Sequence, residues 1–359
     1  MTRPAFVIFF LAAAGWLCYP SPSQSPSPKP LRSAGDADVA DVAALASSPG
    51  RFPASSVNAG RWLEVAPTQQ PGPASGSTEV PALREVPLLA SSGGGAEALA
   101  FDGTSLWVAS QFGNTVTRVL AKNGQPLAAV SVGSQPVAVL ADPSGIWVAN
   151  LGDNTVTKLG VSDGAALGTF TVGDGPGGLV SGGGNIWVLN RNDGTVTKLS
   201  REGATLASYP VGTRPLGAAW DGANLWVANN MSDTVTKLDG ATGVVLGTFL
   251  VGKGPFGAAF DGANVWITNF FDGTVSKLRA SDGLQLGVFA VGDGAAGVIF
   301  DGVSIWVASN GVNTVTRLRP GDGAVLATHA TGAGPFGVTS DGADVWVANF
   351  AATTVSTSR

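Results

Sequence analysis

Catalysis needs a proton carrier, a nucleophile or a set of metal ligands, and this 359-residue sequence offers few of them. It contains one histidine, His329, and one cysteine, Cys18. A lone cysteine closes no intramolecular disulfide, and no Cys/His metal spacing exists. Between residues 91 and 359 the glutamates are Glu97 and Glu202, and Glu202 falls in a predicted turn. His329 falls in a predicted outer strand. A general base must lie within hydrogen-bond reach of the proton it takes. Neither a serine with its base nor a His-plus-Glu pair can therefore be assembled, so no catalytic residue, metal or cofactor is expected.

Three further patterns invite chemistry. Gly-rich phrases such as Val172-Gly173-Asp174-Gly175-Pro176-Gly177-Gly178 open no helix, which removes the phosphate-cradling reading. The pairs Asp102-Gly103, Asp221-Gly222, Asp261-Gly262, Asp301-Gly302 and Asp341-Gly342 could in principle hold Ca²⁺, but an Asp before Gly caps its own turn. Tryptophans could stack on sugars. Here they lie inside apolar runs, which points to packing.

These residues belong to a repeat. Trp107, Trp147, Trp187, Trp226, Trp266, Trp306 and Trp346 are spaced 40, 40, 39, 40, 40 and 40 residues apart. Each repeat reads as four β-rich runs separated by turn residues, exemplified by a (Pro255–Phe260), b (Val265–Thr268), c (Thr274–Leu278) and d (Leu284–Val291). No run has a sustained 3.6-residue apolar period. Four short antiparallel strands per ~40 residues is the propeller-blade unit. The fold class is therefore all-β, a single seven-bladed β-propeller over residues 83–359. The last repeat ends at Arg359 without a d strand, while Glu85–Ala90 is a surplus strand before the first a run. The N-terminal strand should complete the C-terminal blade and remove an open edge. Pro87, which donates no hydrogen bond, suits that outer position.

Composition sets further bounds. Net charge is −5, and residues 91–359 hold 14 Lys plus Arg against 19 Asp plus Glu, which excludes a phosphate-tracking groove and argues against nucleic acid as a partner. One cation recurs per c strand (Arg118, Lys158, Lys198, Lys237, Lys277, Arg317) and is expected on a solvated outer face. The Asn after five of the b runs (Asn150, Asn190, Asn229, Asn269, Asn349; Ser110 and Ser309 in the remaining blades) is expected to bond the b–c loop backbone. Residues 1–18, with Arg3 and the apolar stretch Ala5–Leu17, have the form of an export signal and are too short for a comfortable membrane span. Bulky Leu17 argues against lipidation at Cys18. Residues 19–82 are rich in Pro, Ser and Ala and should be an extended tether; Asp36–Ala46 could form a short helix. The expected product is a secreted, periplasmic or cell-surface monomer with no membrane span in the mature chain.

The phrase Ile146-Trp147-Val148-Ala149-Asn150, then Asp153-Asn154-Thr155-Val156-Thr157-Lys158, then Phe170-Thr171-Val172-Gly173-Asp174-Gly175-Pro176, resembles YVTN-type bacterial and archaeal surface propellers. It is also similar to NHL-repeat and streptogramin (virginiamycin B) lyase propellers. The resemblance spans residues 83–359 and implies a propeller with an exported binding or scaffolding role. Its lyase branch implies Mg²⁺-dependent ring opening by His and Glu around the central cavity, and no residue of this chain matches that set. A lyase-like enzyme with a degenerate site remains the alternative.

Binding should then lie where the repeat varies. The b–c loops differ in every blade, and variable loops on a uniform scaffold are where binding residues gather. Phe256, Phe270, Phe271 and Asp272 in blade five, Asn310 and Asn313 in blade six, and Phe336 and Phe350 in blade seven are the candidate ligand residues. Small Ala296 between the aromatic blades suggests a cleft with apolar walls, suited to a protein, peptide or glycan.

Overall fold

A computed structural model describes residues 82–359. The segments expected to be an export signal, a tether over residues 19–82 and a short helix over Asp36–Ala46 lie wholly or almost wholly outside the described residues. Seven four-stranded antiparallel sheets form the ring, each running a, b, c, d from the axis outward. The seven a strands are Ala96–Phe101, Pro136–Asp142, Pro176–Gly182, Pro215–Trp220, Pro255–Phe260, Ala295–Phe300 and Pro335–Ser340. They touch one another in cyclic order and enclose the axis. Among the described residues the helical elements are two 3₁₀ turns, Ala90–Ser92 and Asn310–Val312.

The tryptophans pack between blades, as their apolar setting requires. Six of them have no exposed surface. Each ring meets the aromatic side chain of its own d strand where there is one, as in Trp226 with Phe249 at 5.5 Å. His329 takes that place in blade six, its ring stacked 6.0 Å from Trp306. In five blades the Asp five residues before the Trp caps its turn and also accepts from the indole: Trp226 Nε1 to Asp221 Oδ2 is 2.8 Å, and Trp266 Nε1 to Asp261 Oδ2 is 2.8 Å. Trp147 donates instead to Ser144 Oγ and Trp187 to Gly182 O.

Two expectations need correction. The c-strand cations are not solvated. Register places Lys237 directly opposite Trp226 on one face. Its Nζ lies 4.9 Å from the indole centroid and donates to Ala280 O of the next blade at 2.8 Å. Lys158, Lys198 and Lys277 do the same toward Arg201 O, Gly240 O and Pro320 O. The aliphatic stem covers the ring while the ammonium finds carbonyls, so burial does not strand the charge. The repeat Asn residues bond strand c side chains rather than the b–c loop backbone, and Asn229 also accepts from Gly212 N of the d–a loop. Asn150 Nδ2 donates to Thr155 Oγ1 and Thr157 Oγ1 of strand c, and Asn190, Asn229, Asn269 and Asn349 repeat this.

The ring closes as the surplus strand requires. Arg84–Pro87 pairs antiparallel with Thr354–Thr357, with Val86 opposite Val355. Val86 is buried against blade one, touching Gly124. The seventh sheet thus contains strands from both ends of the described chain.

Candidate functional site at the b–c mouth of the channel

Every a strand carries a register shift just after its first residue. A bulge re-aims one side chain out of the ladder. The slot it creates is occupied by Glu97, Val137, Gly177, Leu216, Phe256, Ala296 and Phe336 in blades one to seven. Beside each lies the first residue of the b–c loop: Gln111, Leu151, Arg191, Asn230, Phe270, Asn310 and Phe350. These two circles of side chains form the mouth of the channel on the variable face.

One side of the mouth is aromatic. Phe256 and Phe270 are 5.8 Å apart, Phe256 and Phe336 5.6 Å, and Phe336 and Phe350 5.4 Å. Phe271 extends the arc at one end, 5.5 Å from Phe270, and Phe112 of blade one extends it at the other, 5.4 Å from Phe350. The contact of Phe256 with Phe336 crosses blade six over Ala296. The two aromatic blades therefore meet above the small residue instead of standing apart as walls. Phe271 is 43% exposed and Phe112 59%.

The other side mixes apolar Val137, Leu151 and Leu216 with the polar groups of Glu97, Gln111, Arg191 and Asn230. Gly177 has no side chain, and Arg191 fills the space: a Cβ on Gly177 would lie 3.5 Å from Arg191 Cδ and 3.6 Å from Leu216 Cδ2. Burial lowers the Arg191 guanidinium to about 10, with the neighbouring charge of Arg214 acting in the same sense and Glu97 and Asp174 opposing it. Burial likewise pushes Glu97 up to about 8, against the pull of Arg191. Its carboxyl thus carries a proton at neutral pH. Glu97 Oε2 and Gln111 Oε1 are buried with no protein hydrogen bond.

Of the candidates chosen from sequence, the structure gathers Phe256, Phe270, Phe271, Phe336 and Phe350 into one cluster. Asn310 lies beside them, its Nδ2 donating to Pro335 O at 3.4 Å. Asp272 and Asn313 hold the scaffold, accepting from Lys253 N and Gly334 N respectively. Sequence reasoning did not select Glu97, Gln111, Arg191, Arg214 or Phe112. Aligning the strand-a phrases shows the signal for Glu97: it alone is ionisable in a slot otherwise Val, Gly, Leu, Phe or Ala. Glu202 is exposed in a c–d turn, remote from this mouth. Among the described residues no group of three His, Cys, Asp or Glu could hold a metal ion, and no helix is long and apolar enough to cross a membrane.

No family model matches the sequence, and no curated protein matches it. Solved structures do. Hydrazine synthase of Kuenenia stuttgartiensis has a TM-score of 0.67 at 18% identity, covering 74% of this chain and 95% of the other. A streptogramin B lyase gives 0.66 at 18% identity, covering 77% and 96%. A catalytically inactive virginiamycin B lyase from Staphylococcus aureus, solved with quinupristin, gives 0.67 at 17% identity, covering 77% and 98%. At this identity the likeness is one of fold, the β-propeller, which has seven blades in this chain.

Proposed function

We propose that this protein is an exported, non-enzymatic binding propeller that takes its ligand at the b–c mouth of the channel. The aromatic arc carries this reading. Phe271 and Phe112 leave much of their rings in water at the two ends of a contiguous arc of half-buried rings, and apolar surface gathered in this way marks a contact surface. The arc lies on the face where loop sequence varies, opposite buried polar groups, which is the usual make-up of a ligand site. The lone imidazole, stacked on Trp306 in an outer strand, favours binding over lyase-type chemistry. The export part of the proposal rests on residues 1–18 and is tested by fusing them to a reporter and following its translocation.

A thermal-shift screen of small molecules, peptides and glycans, repeated on a Phe271→Ala, Phe350→Ala double variant, tests the site. Compounds that stabilise the parent protein are expected to lose that effect in the variant. Equal stabilisation of both proteins refutes the placement. Mg²⁺-dependent opening of a streptogramin ring above a heat-killed control would refute the non-enzymatic reading.

A further inference from the structure

Two guanidinium groups share the mixed side of the mouth of an acidic protein. Arg214 occupies a backbone slot with φ of +58°. Five other blades place glycine there (Gly95, Gly175, Gly254, Gly294, Gly334), all at positive φ. Blade two has Gln135 at +53°. Arginine gains nothing from this left-handed conformation, and strain of this kind gathers at functional sites. Arg191 and Leu216 both border the slot at Gly177, and the charge of Arg214 is felt at Arg191. Blade four thus replaces the usual glycine by a cation within electrostatic reach of the cation that blade three carries in its variable loop.

The mixed side adjoins the aromatic arc at both ends. Gly217, next to Leu216, packs on the carbonyl of Phe256, and Gly337, next to Phe336, packs on the carbonyl of Glu97. Glu97 is 6% exposed and Gln111 5%, each with an oxygen that no protein hydrogen bond reaches. A ligand spanning the mouth therefore meets charge and hydrogen-bonding groups on one side and rings on the other.

We propose that the mouth binds a small organic acid, with its carboxylate between the guanidinium groups of Arg191 and Arg214 and its apolar body against Phe256, Phe270, Phe336 and Phe350. This rests on the reading of the mouth as the ligand site. A planar carboxylate matches the fork geometry of arginine, and it relieves the repulsion between two adjacent cations. A ligand ammonium would add a third positive charge. Glu97 supports the acid, because a carboxyl held neutral by burial donates a hydrogen bond to a ligand oxygen. Its charged neighbour is Arg191 from blade three. Strands Ser105–Ser110, Pro335–Ser340 and Val345–Asn349, packed against its own, carry no titratable group. Strand Pro136–Asp142 carries Asp142 at the far end, bonded to Ser144 and Arg201.

The test is calorimetry on the full chain with 3-phenylpropanoate, 3-phenylpropan-1-ol and 3-phenylpropylamine. At pH 7 the acid should bind about tenfold or more tighter than the alcohol or the amine. Arg214→Gly introduces the residue that five other blades use, so folding is preserved. It should weaken the acid about tenfold and leave the alcohol unchanged. Between pH 7 and pH 9 the acid should weaken as Glu97 ionises, and Glu97→Gln, which keeps a neutral donor, should abolish that dependence. The proposal falls if the acid binds no tighter than the alcohol, or if Arg214→Gly keeps the acid's affinity. If the alcohol binds and Phe256→Ala removes it, the mouth stands as the site while the carboxylate inference fails. If none of the three probes binds, both fail.

Discussion

The guanidinium of Arg359 donates to the backbone carbonyl of Ala121, across the seam between blade seven and blade one. In blades one to five this bond comes from the c-strand cation, as in Arg118 to Ser162 O and Lys158 to Arg201 O. Blade seven has Thr357 where that cation should stand, opposite Trp346. Arg359 reaches the next blade from two residues further on, also bonding Asp344 at 2.9 Å. Arg359→Ala should therefore destabilise the ring by about 1–2 kcal/mol. Urea unfolding of the two proteins measures it, and an unchanged midpoint refutes the role.

The closing strand should be as sensitive as a core strand, although it is an outer one. Val86 is 2% exposed, buried between Val355 and blade one. Val86→Ala should lower stability by about 1–3 kcal/mol through lost burial and the cavity left behind. The same change at exposed Val245 of an ordinary d strand should cost about 0.5 kcal/mol or less. Comparable losses at the two positions would show that the seam adds nothing.

Glu97 should make the ring sensitive to alkali. Its folded value of about 8 lies above the ordinary 4.5. A raised value means that the stability it confers is complete below pH 4.5 and is lost as pH rises through 8. The loss is roughly 3–5 kcal/mol for a shift of this size at about 1.4 kcal/mol per pH unit. Glu97→Gln should accordingly match the parent protein at pH 4 and melt at a higher temperature at pH 9. A parallel pH profile for the two proteins overturns the assignment.

The Asp–Trp caps predict the opposite limb. Asp261 is held below the usual carboxylate range: burial works against this, but hydrogen bonds from Trp266, Ala263 and Asn264 prevail. A lowered value gives stability that is present above pH 3.8 and lost as pH falls through the depressed value. Asp261→Asn should cost about 1 kcal/mol at pH 7. That difference should shrink below pH 3, where the parent's carboxylate is protonated too. Denaturant midpoints at pH 7 and pH 2.5 distinguish this from a simple packing defect, which would persist at both.

The ring was legible because its signals are local and repeated. An Asp-Gly turn five residues before a Trp fixes a hairpin and its cap in one phrase, as in Asp221-Gly222 with Trp226. The N-terminal strand could be assigned to the last blade because one end lacked what the other had in excess, whereas its register, Val86 opposite Val355, is set by the structure. The c-strand cations were misread because charge suggests solvent, whereas the register that sets Lys237 against Trp226 appears only once strands pair. The site was half legible for the same reason. Phe270 and Phe271 announce themselves in a variable loop. Glu97 follows Gly95-Ala96 rather than Gly-Pro, so its kinship with Phe256 emerges only from the bulge the two strands share.

The composite seventh sheet also orders the events of folding. In the other six blades neighbouring strands are joined by short turns, so each sheet can form from a contiguous stretch of chain. Thr354 and Glu85, which bond across the seam, are 269 residues apart. Bringing them together costs about 3 kcal/mol more in chain entropy than closing a ten-residue hairpin. Contacts of such long range form slowly. The array of blades is therefore assembled first and the circle completed last, and until then blade seven presents an unpaired strand edge. That interval, rather than any state of the finished ring, is when this protein is most open to joining another copy of itself.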